Sequence, residues 1–178
     1  MKRKASSTSS ALASLFILLL GATFGILACA GPAVDPNARP VQIGSAEDAL
    51  EGEGRIAELV GGLPALFLVG TGQDSKALLA MRQRLASDVG DGGLVTLIDV
   101  SSLDELQQLE ISDIALEAAL EEGGPILLDR LGSSAQSLLA GRTEPWLACV
   151  SSDFQVHDEA NPATIDPAAL IALSKAGQ

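Results

Sequence analysis

The sequence predicts an α/β domain built on one mixed sheet, and three stretches carry this prediction. Residues 63–85 read as an apolar strand, a Gly-rich turn and an amphipathic helix. A second apolar strand follows at residues 94–100, and the order strand, helix, strand implies a right-handed crossover between parallel strands. Residues 146–150 and 154–156 read as an antiparallel hairpin. The sheet is therefore expected to combine a parallel half with an antiparallel half.

The first and last helices are predicted from their capping residues. Asp74 or Ser75 can cap the helix that follows the first strand, and its apolar residues recur at three- and four-residue spacing. Arg82 on this helix is predicted to face water. Asp166 is expected to cap the last helix, with Pro167 at its first position.

Two short helices are predicted between the second and third strands. Ser102 and Glu105 form a capping-box pattern that opens the first, and the second begins at Ser112 or Asp113. The apolar face of the second helix is predicted to contain Leu116, Ala119 and Leu120. The third strand is short and ends at Asp129.

The chain after residue 28 is strongly acidic. Residues 1–28 contain three of the 11 basic residues and none of the 23 acidic ones. Eight basic and 23 acidic residues remain, which gives a net charge of −15. A surface of this sign repels phosphate backbones, so no nucleic-acid partner is expected, and membrane attachment requires a lipid rather than a basic patch.

Residues 1–28 read as a bacterial secretory signal peptide, with a Lys- and Arg-containing start and a long apolar run. The run ends in the letters ILAC, which resemble a lipobox with Cys29 as the lipidated residue. This resemblance implies a lipid-anchored protein of the cell envelope that faces the periplasm or the exterior. Two alternatives stay open. Ala28, Cys29 and Ala30 also fit ordinary signal cleavage, which gives a soluble secreted protein, and the apolar run is just long enough to span a membrane uncleaved.

The rest of the chain is predicted to form a tether and one domain. Residues 29–54 are rich in Gly, Pro, Ala and acidic residues, which favours a flexible tether that holds the domain clear of the bilayer. Residues 55–178 are long enough for a single domain with a hydrophobic core.

The order of elements in residues 55–178 resembles the thioredoxin-like fold, a three-layer sandwich found in thiol-disulfide reductases and peroxiredoxins. Residues 56–71 resemble the entry to the first core strand of those proteins. Residues 125–132 resemble the segment before the helix that leads to their cis-proline, and residues 143–145 resemble the proline loop. The resemblance implies a cis bond before Pro145, and a trans bond there would favour a different small α/β binding domain.

The resemblance also implies a redox centre, but its cysteines are absent. Active relatives carry two cysteines at the start of the helix after the first core strand, where the helix terminus stabilises a thiolate. Gly72 and Ser75 occupy these positions here, with Gln73 and Asp74 between them, and no cysteine lies between Ala30 and Ala148. We therefore expect a redox-inactive binding or structural module, without cofactor or metal.

A binding groove for a protein or peptide partner is expected where relatives receive an extended chain beside the cis-proline. The resemblance places it between residues 72–75 and Glu144, Pro145 and Trp146. Trp146 is interpreted as a core residue, with a role in capping the groove as the alternative.

The alternative function is a thiol oxidoreductase or peroxidase that uses Cys149. This cysteine lies within a predicted apolar strand, where a thiol behaves as a small hydrophobic residue. His157 is the only histidine and is interpreted as a solvated turn residue. Acidic pairs such as Asp104 with Glu105 are interpreted as solvated helix faces, because their spacing does not match a calcium loop.

Overall fold

The computed structural model describes residues 38–89 and 93–175, which form one eight-stranded sheet and five α-helices. The strands are β1 Arg39–Pro40, β2 Ser45–Asp48, β3 Gly52–Arg55, β4 Ala65–Thr71, β5 Leu94–Asp99, β6 Ile126–Asp129, β7 Trp146–Val150 and β8 Gln155–Ala160. The helices are α1 Ile56–Leu59, α2 Ser75–Val89, α3 Glu105–Glu122, α4 Ser133–Leu139 and α5 Pro167–Lys175, and a 3-10 turn at Gly72–Asp74 precedes α2.

The strand order across the sheet is β1-β8-β7-β4-β5-β6-β2-β3. Strand β4 pairs in parallel with β5, and β5 pairs in parallel with β6, as the crossover rule requires. On its other side β4 pairs antiparallel with β7, which forms the hairpin with β8. The predicted fold class, a mixed sheet with a parallel half and a C-terminal hairpin, is confirmed.

Strand β4 lies at the centre of the sheet and is covered on both faces. Leu66 and Leu68 pack into a core formed with helices α2, α3 and α5. Phe67 and Val69 pack into a second core formed with α1 and α4. All four side chains are at most 3% exposed. The continuous apolar run predicted a strand of this kind, and the result is a three-layer arrangement of helices, sheet and helices.

The tether prediction is wrong for the part of residues 29–54 that the structure describes. Residues 39–40, 45–48 and 52–55 form strands β1, β2 and β3 of the main sheet. The Asp48 carboxylate accepts the N–H groups of Leu50 and Glu51 at 2.8 and 3.0 Å and closes the β2–β3 hairpin. These strands are two to four residues long, and β1 and β3 lie at the sheet edges, so they bury few side chains and their composition resembles that of a linker.

The predicted signal peptide and Cys29 lie outside the described residues. Within residues 38–89 and 93–175, no helix has the length and apolar character needed to cross a bilayer.

The two helices predicted between β5 and β6 are a single helix, α3. It begins after Asp104, whose carboxylate accepts the Gln107 N–H while the Gln107 side chain accepts the Asp104 N–H. Ser112, predicted to start a second helix, instead donates its hydroxyl to the Gln108 carbonyl within the helix at 2.9 Å. Of the three residues assigned to one apolar face, Ala119 is buried, whereas Leu116 and Leu120 are 40% and 70% exposed. The predicted face is therefore wrong.

Arg82 was predicted to face water, but it is 2% exposed on the inner side of α2. Its guanidinium donates to the Leu94 carbonyl at 3.1 Å, to the Thr96 hydroxyl at 3.0 Å and to the Gly123 carbonyl. Burial lowers the pKa of this guanidinium, and the charge of Glu122, 3.4 Å away, opposes that shift. Arg82 therefore joins α2 to β5 and to the end of α3.

The cis bond implied by the resemblance is not where it was expected. Among the described residues the cis peptide bond lies between Leu63 and Pro64, and the bond before Pro145 is trans. A trans bond at Pro145 was expected to mark a different fold, but the sheet order and the hairpin match the predicted one. That criterion was therefore wrong.

Candidate functional site

The turn between β4 and α2 lies at the carboxyl edge of the parallel strands, where ligands of open α/β sheets commonly bind. Strand β4 ends at Thr71, the 3-10 turn covers Gly72–Asp74, and α2 begins at Ser75. Gly72 is buried and Ser75 is 4% exposed, whereas Gln73 and Asp74 are exposed. The turn therefore presents Gln73 and Asp74 to a ligand and keeps Ser75 inside.

A pocket of about 530 Å³ opens beside this turn. One wall is the turn and the first residues of α2, and the other is Leu103 together with one side of α3. The pocket is lined by Gly72, Gln73, Asp74, Ser75, Lys76, Ala77, Leu103, Gln107, Glu110, Ile111 and Ile114. The predicted residues 72–75 do line a pocket, but the predicted partner segment, residues 144–146, does not line it.

The pocket combines apolar and charged groups. Leu103, Ile111 and Ile114 pack against the hydrophobic core and supply apolar surface. Lys76 and Glu110 face each other from the two walls, with Nζ and Oε1 3.9 Å apart. Both side chains are mostly exposed, so this ion pair contributes little stability and can open for a ligand.

Sequence reasoning missed the α3 wall of the pocket. Gln107, Glu110, Ile111 and Ile114 have the three- and four-residue spacing of one helix side, and this signal was present. The prediction of two short helices divides this side between them and hides the signal. Even a correct helix would not show that this side packs beside residues 72–75, since that contact depends on tertiary structure.

Leu103 occupies the space next to Gly72. A Cβ atom added to Gly72 would lie 2.5 Å from Leu103 Cδ1 and 3.2 Å from the Asp99 carbonyl oxygen. The first distance is far below a van der Waals contact, and the second involves backbone that cannot rotate away. Any side chain at Gly72, including cysteine, therefore requires Leu103 to move.

The proline loop lies at the same end of the sheet as the turn. Trp146 is the first residue of β7 and pairs with Val69 of β4. Because the two strands are antiparallel, Glu144 and Pro145, which precede Trp146, lie near the end of β4. The Trp146 ring packs against the core that contains α1 and α4, with the Arg142 guanidinium 4.3 Å from its centroid. This packing agrees with the interpretation of Trp146 as a core residue.

Cys149 is 2% exposed in the middle of β7. It is opposite Leu66 of β4, five residues before Thr71, which places it about 17 Å along the strand from the turn. Its side chain belongs to the core that contains α2, α3 and α5. Cys149 is therefore separated from the pocket by the length of β4.

His157 lies in strand β8 and is half-buried, rather than in a solvated turn as predicted. Its Nε2 is 3.1 Å from the Ser151 hydroxyl and 3.9 Å from Asp153 Oδ1. The hydrogen bond from Ser151 is the main cause of a lowered pKa at the Asp153 carboxyl, and His157 adds to it. Ser151 and Asp153 both lie near the same imidazole nitrogen, Nε2.

Two buried carboxylates lie close to the turn. Asp99 and Asp129 are opposite each other at the ends of β5 and β6. The Asp99 carboxylate accepts the N–H and O–H of Ser101. Asp129 is fully buried and accepts the N–H groups of Leu131, Gly132, Ser134 and Ala135. Asp129 therefore binds backbone N–H groups, and Asp99 binds both backbone and side-chain donors. The described residues contain no grouping of three His, Cys, Asp or Glu suited to a metal ion.

No protein-family model matches the sequence, and no curated protein is significantly similar to it. Solved structures do match. One is the pneumococcal exposed lipoprotein thioredoxin from Streptococcus pneumoniae, with a TM-score of 0.54 and 14% identity over 75% of this chain and 98% of that chain. Another is a putative electron transfer protein from Aquifex aeolicus, with a TM-score of 0.51 and 11% identity over 76% of this chain and 91% of that chain. The chain therefore has a thioredoxin-like fold.

The packing of Leu103 on Gly72 predicts a specific pattern of stabilities. Gly72→Ala is expected to lower the free energy of unfolding by about 1–3 kcal/mol, because the new methyl group overpacks the site. In a Leu103→Ala background the same change should cost clearly less, because the clashing methyl group is gone and only the 3.2 Å contact with the Asp99 carbonyl remains. Urea unfolding followed by circular dichroism measures both values.

Gly44→Ala serves as the matched control, because a Cβ atom there would lie 3.5 Å from the Ser134 hydroxyl, an ordinary contact. An equal cost of Gly72→Ala in both backgrounds would contradict the assigned role of Leu103.

Proposed function

We propose that this protein is a redox-inactive thioredoxin-like module of the bacterial cell envelope that binds a protein or peptide partner in the pocket beside residues 72–75. The observation that carries the proposal is the contact of Leu103 with Gly72. At the position of the first cysteine in redox relatives, this chain has both a glycine and a neighbouring side chain that fills the space.

The remaining chemistry of the pocket favours binding over catalysis. Its lining contains no histidine or cysteine, and a nucleophilic Ser75 would require a base to activate it. Ser75 is also 4% exposed, so its hydroxyl is poorly accessible. What the pocket offers a ligand is an apolar surface with charged groups at its mouth.

An extended peptide segment with one apolar side chain fits this description. Leu103, Ile111 and Ile114 can surround an apolar side chain, and the pocket volume lies in the range typical of ligand sites. Exposed Gln73 and Asp74 are placed to hydrogen-bond a backbone that passes over the turn. Glu144 is exposed at the same edge of the sheet and can extend the contact.

Site-specific photo-cross-linking tests the pocket. A photoreactive phenylalanine placed at Gln73 should give a discrete adduct in intact cells, whereas the same residue at Gln83, exposed on α2 outside the pocket, should give none. Ile114→Lys should remove the Gln73 adduct because it places a charge on the apolar wall. Equal adducts at both positions, or none at Gln73, would exclude the pocket as the binding site.

Glu144→Lys and Trp146→Ala test the part of the groove assigned to the proline loop. If both variants leave the Gln73 adduct at its wild-type yield, residues 144–146 do not contribute to binding.

The alternative function, a thiol oxidoreductase or peroxidase, requires Cys149 to react with a substrate. Its 2% exposure argues against this, because a catalytic thiol must be reachable. In a Cys29→Ser chain, where Cys149 is the sole cysteine, we expect maleimide labelling to be roughly a hundredfold slower in native buffer than in urea. Comparable rates in the two conditions would favour the oxidoreductase.

The proposed location depends on Cys29. The motif ILAC supports lipidation, and the Streptococcus pneumoniae neighbour is itself named an exposed lipoprotein. Wild-type protein is expected to incorporate labelled palmitate and to sediment with membranes, and Cys29→Ala should lose the label. A cleaved wild-type protein that carries no label and stays in the soluble fraction would instead identify a secreted protein.

A further inference from the structure

Helix α3 has a second apolar face that no described element covers. Leu106, Leu109, Leu116 and Leu120 are 79%, 60%, 40% and 70% exposed. Their spacing of three, seven and four residues places them in one stripe along the helix, about 21 Å long. The buried residues Ile111, Ala115 and Ala119 lie on the opposite side, against the core. Leucines grouped in this way form an apolar patch, which marks an interaction surface more often than scattered apolar residues do.

The leucines of the stripe have the spacing found at the contact face of paired helices. In heptad terms the leucines occupy a and d positions, and Asp113 occupies the a position between them. A straight row of leucines on a helix accepts the apolar face of another helix, whose own side chains pack between them. The shape therefore favours a helical partner.

The charge on α3 restricts the partner further. The helix carries six acidic residues and no Lys or Arg. The acidic residues are Glu105, Glu110, Asp113, Glu117, Glu121 and Glu122. Glu122 lies near Arg82 and Glu110 near Lys76, so the other four have no described basic partner close by. Glu117 occupies the e position beside the leucines, where flanking charges select the partner of a paired helix, and Glu121 lies one turn further along the same side.

We infer that the leucine face of α3, defined by Leu106, Leu109, Leu116 and Leu120, docks a basic amphipathic helix of a partner protein. Leucine or similar side chains of that helix cover the stripe, and its Lys or Arg residues pair with the acidic flank. A second copy of this chain would bring two acidic α3 helices together, with the stripe's Asp113 residues facing each other, and is disfavoured. Anionic lipid headgroups are disfavoured for the same reason.

This surface is distinct from the pocket of the proposed function. The pocket uses Gln107, Glu110, Ile111 and Ile114 on another side of α3. Substitutions of the exposed leucines therefore leave the pocket lining intact, and the two proposals can fail independently.

Fluorescence anisotropy with a designed probe tests the inference. The probe is a labelled helical peptide with Leu at its a and d positions and Lys at its e and g positions, and the matched probe carries Glu in place of Lys. The full chain is held in phosphatidylcholine nanodiscs, and empty nanodiscs serve as the blank. We expect the Lys peptide to bind at least about tenfold more tightly than the Glu peptide, and its binding to weaken as salt is raised.

Variants of α3 identify the surface that the peptide contacts. Leu109→Gln combined with Leu116→Gln should weaken Lys-peptide binding by about tenfold or more, because two buried apolar contacts are lost. Leu131→Gln is the matched control, since Leu131 is 79% exposed outside α3, and it should leave the affinity unchanged. Glu117→Lys combined with Glu121→Lys should reverse the preference between the two peptides, so that the Glu peptide binds more tightly than the Lys peptide.

Three results would overturn the inference. The first is no binding of the Lys peptide to the wild-type chain, and the second is equal binding of both peptides. The third is dimerisation of the wild-type chain in sedimentation experiments that the double leucine variant abolishes, because a second copy would then be the occupant. All substituted residues are exposed, and circular dichroism verifies that each variant keeps its helix content.

Discussion

The arrangement of this protein depends on strand β4 being buried on both faces. Leu66 and Leu68 contact one core and Phe67 and Val69 the other, while β5 and β7 supply hydrogen bonds at its two edges. A strand enclosed in this way has no surface of its own, so the first exposed residues it can offer lie in the turn after Thr71. The pocket is located there for that reason, and helices α2 and α3 are placed around it because they cover the same side of the sheet.

At the turn after β4, side-chain packing fills the space beside Gly72. Leu103 fills the space beside Gly72, and Ser75 is directed inward. The nearby acids Asp99 and Asp129 accept backbone N–H groups at the starts of loops and of α4, and they thereby order this edge of the sheet. Arg82 is also held by hydrogen bonds. Its buried guanidinium lies on the side of α2 that faces away from solvent and connects α2 to β5 and to the end of α3. The result is a sheet edge with a pocket beside residues 72–75.

The sequence was informative where one residue pattern determined one local structure. The apolar run of β4, the hairpin at residues 151–153 and the cap of α5 by Asp166 were all predicted, because each depends on neighbouring residues. The failures involve contacts that are distant in the chain. Residues 39–54 are predicted as part of a tether because their role as strands requires partners such as β6 and β8. Arg82 was assigned to solvent because its partners lie on β5 and after α3. Likewise, the leucines of α3 could be predicted as apolar, but the sequence could not show which of its two apolar faces meets the core.

We propose that the thioredoxin-like fold of this chain works by binding and not by thiol chemistry. The most direct test of this proposal is an insulin-reduction and peroxide-turnover assay on the purified full chain, with Cys149→Ser as the paired variant. We expect no turnover above the buffer blank in either protein. Turnover by the wild-type chain that Cys149→Ser abolishes would contradict a binding function and would make Cys149 a catalytic thiol.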